Sequence, residues 1–412
     1  MGVKLVAAAV ALVLLGGGAA AQDAAPAATD PTAPARAAYA EVRALWKQKG
    51  AEKDAAKKER LDKQGFAAFE RFCTLFDKVD WNEWDVATDV ELAGLGINHA
   101  AARAFDAEDF ATARKGWEFL AERFEPHPTN AYFVATQLPY VYAASGALDD
   151  GEAFLRRCRD RFPKTVRAIA SIGLCDLLAA KSDFDGAVKA RADATQALEA
   201  AEKSSSTADV EARSYATLAK FRVEGRSRVG EKVADLSGVD SATGKPFRLS
   251  GAAGKPTLCH VFGLIGSPDP DVFRMISAVH KKCAKDGLVV VAMTSFDLVS
   301  PLTKVDAEVE MKMPRNADDK VGDKVMVTRD GFRKQMETYR QRFRCGFPFV
   351  VAADKGLEPF ADYVKTSTIL LDAEQRIVVE ATRLDRETIR WIAQSVCRRA
   401  AEARAPAPQG PK

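Results

Sequence analysis

From Ala35 to about Arg226 the chain is nearly free of proline and strand signals, and Ala, Leu, Glu, Lys and Arg dominate it. Such residues lose little freedom on entering a helix. A stretch of this kind can bury its apolar side chains only by packing helix on helix. At Arg222–Arg228 the texture changes: glycines appear, and short β-type runs alternate with helical patterns. The break splits 412 residues, too many for one compact domain, into an all-α part followed by an α/β part. With 47% hydrophobic residues, each part can build a core.

Within the helical part a pattern recurs. Asp109-Phe110-Ala111-Thr112-Ala113 resembles Asp183-Phe184-Asp185-Gly186-Ala187, and Leu148-Asp149-Asp150-Gly151 stands between them. Phe110, Leu148 and Phe184 are 38 and 36 residues apart. This resembles tetratricopeptide-type helix hairpins, although the spacing exceeds the usual length of about 34 residues. It predicts three degenerate units over 35–226, the fewest expected for a stable stack. A non-repetitive helical bundle is the alternative. In either case amphipathic hairpins stack and leave a groove, so the expected partner is a protein or peptide.

The first residues form a different class. Lys4 is followed by an apolar run from Leu5 to Leu15, three glycines, and Ala19-Ala20-Ala21. A positive start, an apolar centre and a small-residue end predict a signal peptide over 1–21. An uncleaved anchor is the rival reading, but the run is short for a span of about 20 residues. No cysteine follows the expected cleavage site, which argues against a lipoprotein. The expected location is periplasmic or secreted, with no membrane attachment after cleavage. Residues 22–34 read as a disordered linker and 404–412 as a disordered tail. The net charge is only +3, and the basic residues are scattered, so no nucleic-acid partner is expected.

In the α/β part, Thr257–Phe262, Leu288–Thr294, Phe347–Ala352, Thr368–Leu371 and Ile377–Ala381 read as strands. Helices are predicted over Asp271–Lys285 and Arg386–Ala403. A further helix follows from Phe332, Met336, Tyr339 and Phe343, which recur at helical spacing. Asp372–Gln375 reads as a hairpin turn, and Pro301–Asp330 as an inserted, charged surface loop.

Three segments then carry a resemblance. They are Val229-Gly230-Glu231-Lys232, Thr243-Gly244-Lys245-Pro246-Phe247-Arg248-Leu249 and Gly254-Lys255-Pro256-Thr257-Leu258. In their order they are similar to the opening of the redoxin and TlpA-like branch of thioredoxin-fold proteins. Phe347-Pro348-Phe349-Val350-Val351-Ala352-Ala353-Asp354 and Ile369-Leu370-Leu371-Asp372 resemble its later landmarks. The resemblance covers 229–403 and implies a thioredoxin-like domain, a central mixed sheet with helices on both sides. It also implies a CxxC motif at the start of the helix after the first core strand. There a helix N-terminus stabilises a thiolate, and a second thiol resolves the mixed disulfide. In this chain those slots fall on Gly266, Ser267, Pro268 and Asp269. Ser267 and Asp269 are helix-capping residues, and the Asp269 carboxylate stands where a thiolate would be favoured. The family's cis-proline position falls on Thr366, where a trans bond is expected.

Seven cysteines remain, at 73, 158, 175, 259, 283, 345 and 397, with no CxxC among them. Cys259 starts a strand and Cys283 ends the following helix, so the two form a candidate disulfide or a pair of core thiols. Cys345 is flanked by Arg342 and Arg344 and is the candidate reactive thiol. His99, His127, His260 and His280 lack metal-ligand spacing, and no glycine loop suits a phosphate. Neither metal nor cofactor is expected. Two functions follow. The first is an exported binding or scaffold protein with a degenerate redox site. The second is an extracytoplasmic thiol-disulfide oxidoreductase that uses a cysteine outside a CxxC, such as Cys345.

Overall fold

A computed structural model describes residues 30–84, 90–123, 128–204, 210–262, 270–295, 309–312, 324–327, 329–352, 357, 367–381 and 386–404. The expected signal peptide, most of the linker and the tail lie outside them. The chain forms two compact units. One comprises residues through Leu174 together with Asp193–Lys220; the other comprises Cys175–Ala192 and Phe221 onward.

The first unit is helical. Its elements begin with α1 (Ala33–Ala51), α2 (Ala55–Phe76), α3 (Val90–Asp106), α4 (Phe110–Arg123), α5 (Pro128–Ser145) and α6 (Leu148–Cys158). α7 (Lys164–Ala180), α8 (Phe184–Ser204) and α9 (Val210–Glu224) follow, and the second unit takes residues 175–180, 184–192 and 221–224 of them. Phe110, Leu148 and Phe184, the recurring sequence positions, each open a helix. The turn before each is the same. Glu108, Gly146 and Ser182 are left-handed, with φ of 61°, 82° and 63°. The next residue, Asp109, Ala147 or Asp183, donates its N–H back to Ala104, Tyr142 or Leu178 at 2.8, 3.0 and 2.9 Å. That is the Schellman closure of a helix end. Asp109 and Asp183 then cap the new helix, accepting from Thr112 N–H at 3.2 Å and Gly186 N–H at 3.0 Å. Three residues into each new helix stands a small buried residue, Ala113, Gly151 or Ala187. At Gly151 a side chain would meet the Tyr142 ring at 2.6 Å, so only glycine allows this approach.

Aromatic side chains fill the core. Phe76 stacks on Trp84 with centroids 4.9 Å apart, and Trp117 meets Phe105 edge-on at 5.8 Å. His99 lies edge-on to Phe69 at 5.3 Å. Burial, and then the Arg103 guanidinium, hold its imidazole below the usual value of 6.5, while Asp77 pushes the other way. His99 is therefore neutral in the fold and gains a proton on unfolding below about pH 6.5. The unfolded chain binds more protons there, so stability falls as pH drops through that value. An NMR titration is expected to give His99 a midpoint below 6.5. His99→Gln is expected to flatten that part of the stability profile. A midpoint at or above 6.5 would contradict the assignment.

The second unit is built on a sheet. Its strands are β1 (Ser237–Asp240), β2 (Pro246–Arg248), β3 (Thr257–Val261), β4 (Val289–Ser295), β7 (Phe349–Ala352), β8 (Ser367–Leu371) and β9 (Ile377–Ala381). They lie in the order β2-β1-β7-β4-β3-β8-β9. β3, β4 and β7 run parallel, while β8, β9 and the β1–β2 hairpin are antiparallel to their neighbours. This is a mixed sheet, as the resemblance implies. Its helices are α10 (Pro270–Cys283), α11 (Arg329–Arg342) and α12 (Arg386–Arg404). Phe332, Met336 and Tyr339 of α11 are all buried, as their spacing predicts. The 301–330 segment departs from expectation. Val309–Lys312 (β5) and Lys324–Val327 (β6) pair as a separate antiparallel ribbon instead of remaining irregular.

Alternation along β3 sets the two faces of the sheet. Cys259 and Val261 join Val291, Met293, Val350, Ile369 and Leu371 in one apolar cluster, which Val233, Leu236, Leu249 and Leu357 close. His260 points the other way, edge-on to Phe273 of α10 at 5.2 Å. Residues 175–192 belong to this unit through specific contacts. Asp176 of α7 and Arg226 form a bidentate pair at 2.9 and 2.8 Å, both side chains at 0% exposure. The Arg376 guanidinium lies 4.3 Å from the Phe184 ring centroid, and Arg399 donates to the Ala180 carbonyl at 3.2 Å.

Candidate functional site

The resemblance puts the redox motif where β3 ends and α10 begins. Gly266, Ser267, Pro268, Asp269 and Thr366 lie outside the described residues. What lies around them is described. His260 Nδ1 is 2.9 Å from Thr368 Oγ1, across the antiparallel β3–β8 pair. The ring stacks on Phe262 with centroids 5.7 Å apart. Phe262 meets Phe273 and Phe349 at 5.4 and 5.8 Å, and Phe273 stacks on Phe343 at 5.0 Å. Tyr339 continues the stack at 5.9 Å. The strand end therefore rests on a packed aromatic base holding one buried imidazole. No cysteine of the chain occurs within 263–269.

Cys345 does not have the surroundings its flanking arginines suggest. It is 4% exposed. Its Sγ accepts from Ser277 Oγ at 3.7 Å and donates to the Phe343 carbonyl at 3.8 Å. Burial pushes the thiol pKa up, against smaller opposing effects from Ser277 and Arg340. The nearby charge is thus Arg340, and Glu337 already holds it at 2.8 and 2.7 Å. A buried, protonated thiol is a poor nucleophile.

Cys73, Cys158, Cys175 and Cys259 follow the same rule, whereas a hydrogen bond with Cys397 lowers the Cys283 pKa. All seven are free and buried. Burial pushes Cys73, Cys158 and Cys259 up to about 12. Cys259 and Cys283 are not brought together. Cys259 lies in the cluster on one face of the sheet, while α10, which Cys283 ends, packs on the other. The Cys283 thiol is hydrogen-bonded to Cys397 instead. Sequence reading missed that pairing and the Asp176–Arg226 pair. The second had a signal: Asp176 is the one charged residue in the apolar run from Ala168 to Ala180. Among the described residues no three His, Cys, Asp or Glu side chains converge to hold a metal. Nor is any described helix long and apolar enough to cross a membrane.

No protein-family model matches the chain, and no curated protein matches it. Solved structures do match, among them thioredoxin-fold proteins of thiol-disulfide exchange. A thiol:disulfide interchange protein from Bacteroides sp. is 13% identical over 39% of this chain and 85% of its own, with a TM-score of 0.27. A thioredoxin family thiol:disulfide interchange protein from Chlorobium tepidum is 15% identical over 40% of this chain and 95% of its own, at 0.25. A secreted thiol-disulfide isomerase from Corynebacterium glutamicum is 13% identical over 40% of this chain and 84% of its own, at 0.27.

Proposed function

We propose that this is an exported thioredoxin-like protein that recognises a protein or peptide and no longer exchanges disulfides. In this reading residues 1–21 direct export, 35–226 are degenerate tetratricopeptide-like repeats, and 229–403 keep the thioredoxin-like fold without its chemistry. Three identical Schellman turns at the recurring positions support the repeats. The state of the cysteines carries the loss of chemistry. Both CxxC slots lack sulfur, and the remaining candidate, Cys345, is buried with its thiol held protonated. With no thiolate at a helix N-terminus and every cysteine buried, the folded chain presents no attacking group to a substrate disulfide. The helical hairpins then offer the surface for a partner.

Insulin reduction by dithiothreitol tests this reading, with the chain beside its Cys345→Ser variant. Neither is expected to raise the rate above the dithiothreitol background. Turnover by the unmodified chain that vanishes in Cys345→Ser would establish the oxidoreductase reading.

A further inference from the structure

Cys283 ends α10 and Cys397 lies in the second half of α12. Two contacts bracket the place where these helices cross. Lys282 Nζ sits 5.8 Å from the Trp391 ring centroid, and Arg404 donates to the Asp286 carbonyl. Cys283 and Cys397 fall between these contacts, at 1% and 0% exposure. Their thiols meet there, with the Cys397 S–H donating to the Cys283 sulfur. No other two cysteines share a hydrogen bond among the described residues. Adjoining sulfurs on two packed helices are the starting geometry for a covalent link.

We propose that Cys283 and Cys397 form a disulfide that fastens α12 to the end of α10 in the oxidised protein. This goes beyond the recognition role and does not depend on it. The oxidant is a low-molecular-weight organic disulfide. The Cys283 thiolate attacks one of its sulfurs and releases one thiolate, leaving a mixed disulfide. The Cys397 thiolate then attacks the Cys283 sulfur and releases the second. Two cysteines lose two hydrogens in all, and one external disulfide becomes two thiols. The hydrogen bond between the two thiols favours the thiolate on Cys283. Both sulfurs are shielded in the closed fold, so the exchange belongs to folding or to a lifting of α12. The closed loop holds β4 to β9, and long loops constrain the unfolded chain most.

The test uses the full chain, refolded with reduced and oxidised glutathione. It is then alkylated with N-ethylmaleimide in denaturant, digested and mapped by mass spectrometry. The expected result is one linked peptide joining Cys283 to Cys397, with the other five cysteines alkylated. Alkylation of both residues, or linkage of either to a different cysteine, would overturn the proposal. Melting gives an independent readout. The oxidised form is expected to melt about 5–10 °C above the reduced form. That difference is expected to vanish in Cys397→Ala. An equal difference in Cys397→Ala would also overturn the proposal.

Discussion

Asp176→Ala is expected to destabilise the second unit by about 3–5 kcal/mol, read from the shift of its urea transition. Both partners of the Asp176–Arg226 pair are fully buried, and the carboxylate takes two guanidinium N–H donors. Removing the carboxylate strips a buried guanidinium of two charge-assisted hydrogen bonds, which is costlier than the loss of a neutral hydrogen bond. The double replacement Asp176→Leu with Arg226→Met removes both charges, and it is expected to recover most of the loss. A cost below about 1 kcal/mol for the single variant would mean that Arg226 finds water or another acceptor.

Trp117→Ala is expected to cost the first unit about 3–5 kcal/mol, with Trp117→Phe in between. Trp117 is at 0% exposure, and its indole N–H donates to Asn98 Oδ1 at 2.9 Å. Asn98 Nδ2 has no hydrogen-bond partner, so this bond holds the amide in place. Alanine removes the ring, opens a cavity and strips Asn98 of that donor at once. Thermal melts of the three proteins measure the order. An alanine variant as stable as the phenylalanine one would show that the cavity collapses.

The sheet unit was largely legible from sequence. Its strands are short apolar runs, several set off by Gly, Pro or Asp. Of the five strands read from sequence, Ile377–Ala381 is found where expected and the other four shift by at most two residues, whereas β1 and β2 were not read as strands. The left-handed Gln375, at φ 63°, closes the hairpin read at Asp372–Gln375. The β5–β6 ribbon was hidden because charged residues crowd 301–330 and mask its short Val and Met alternation. The Cys259 pairing failed on a question of face. A helix after a strand does return past it, but residue 260 meets that helix while 259 turns away. Asp176 could have been flagged as a charge in an apolar helix. Its partner fifty residues on could not, since nothing local specifies which arginine arrives.

The two units interleave along the chain. Cys175–Ala192 belongs to the second unit, yet the chain goes back to the first for Asp193–Lys220. During synthesis, therefore, the opening piece of the second unit leaves the ribosome before the first is complete. Asp176 and Phe184 must wait for Arg226 and Arg376 to be translated. No single cut yields both units whole. A gene rearrangement that moved either one at a single crossover would leave its hairpin behind.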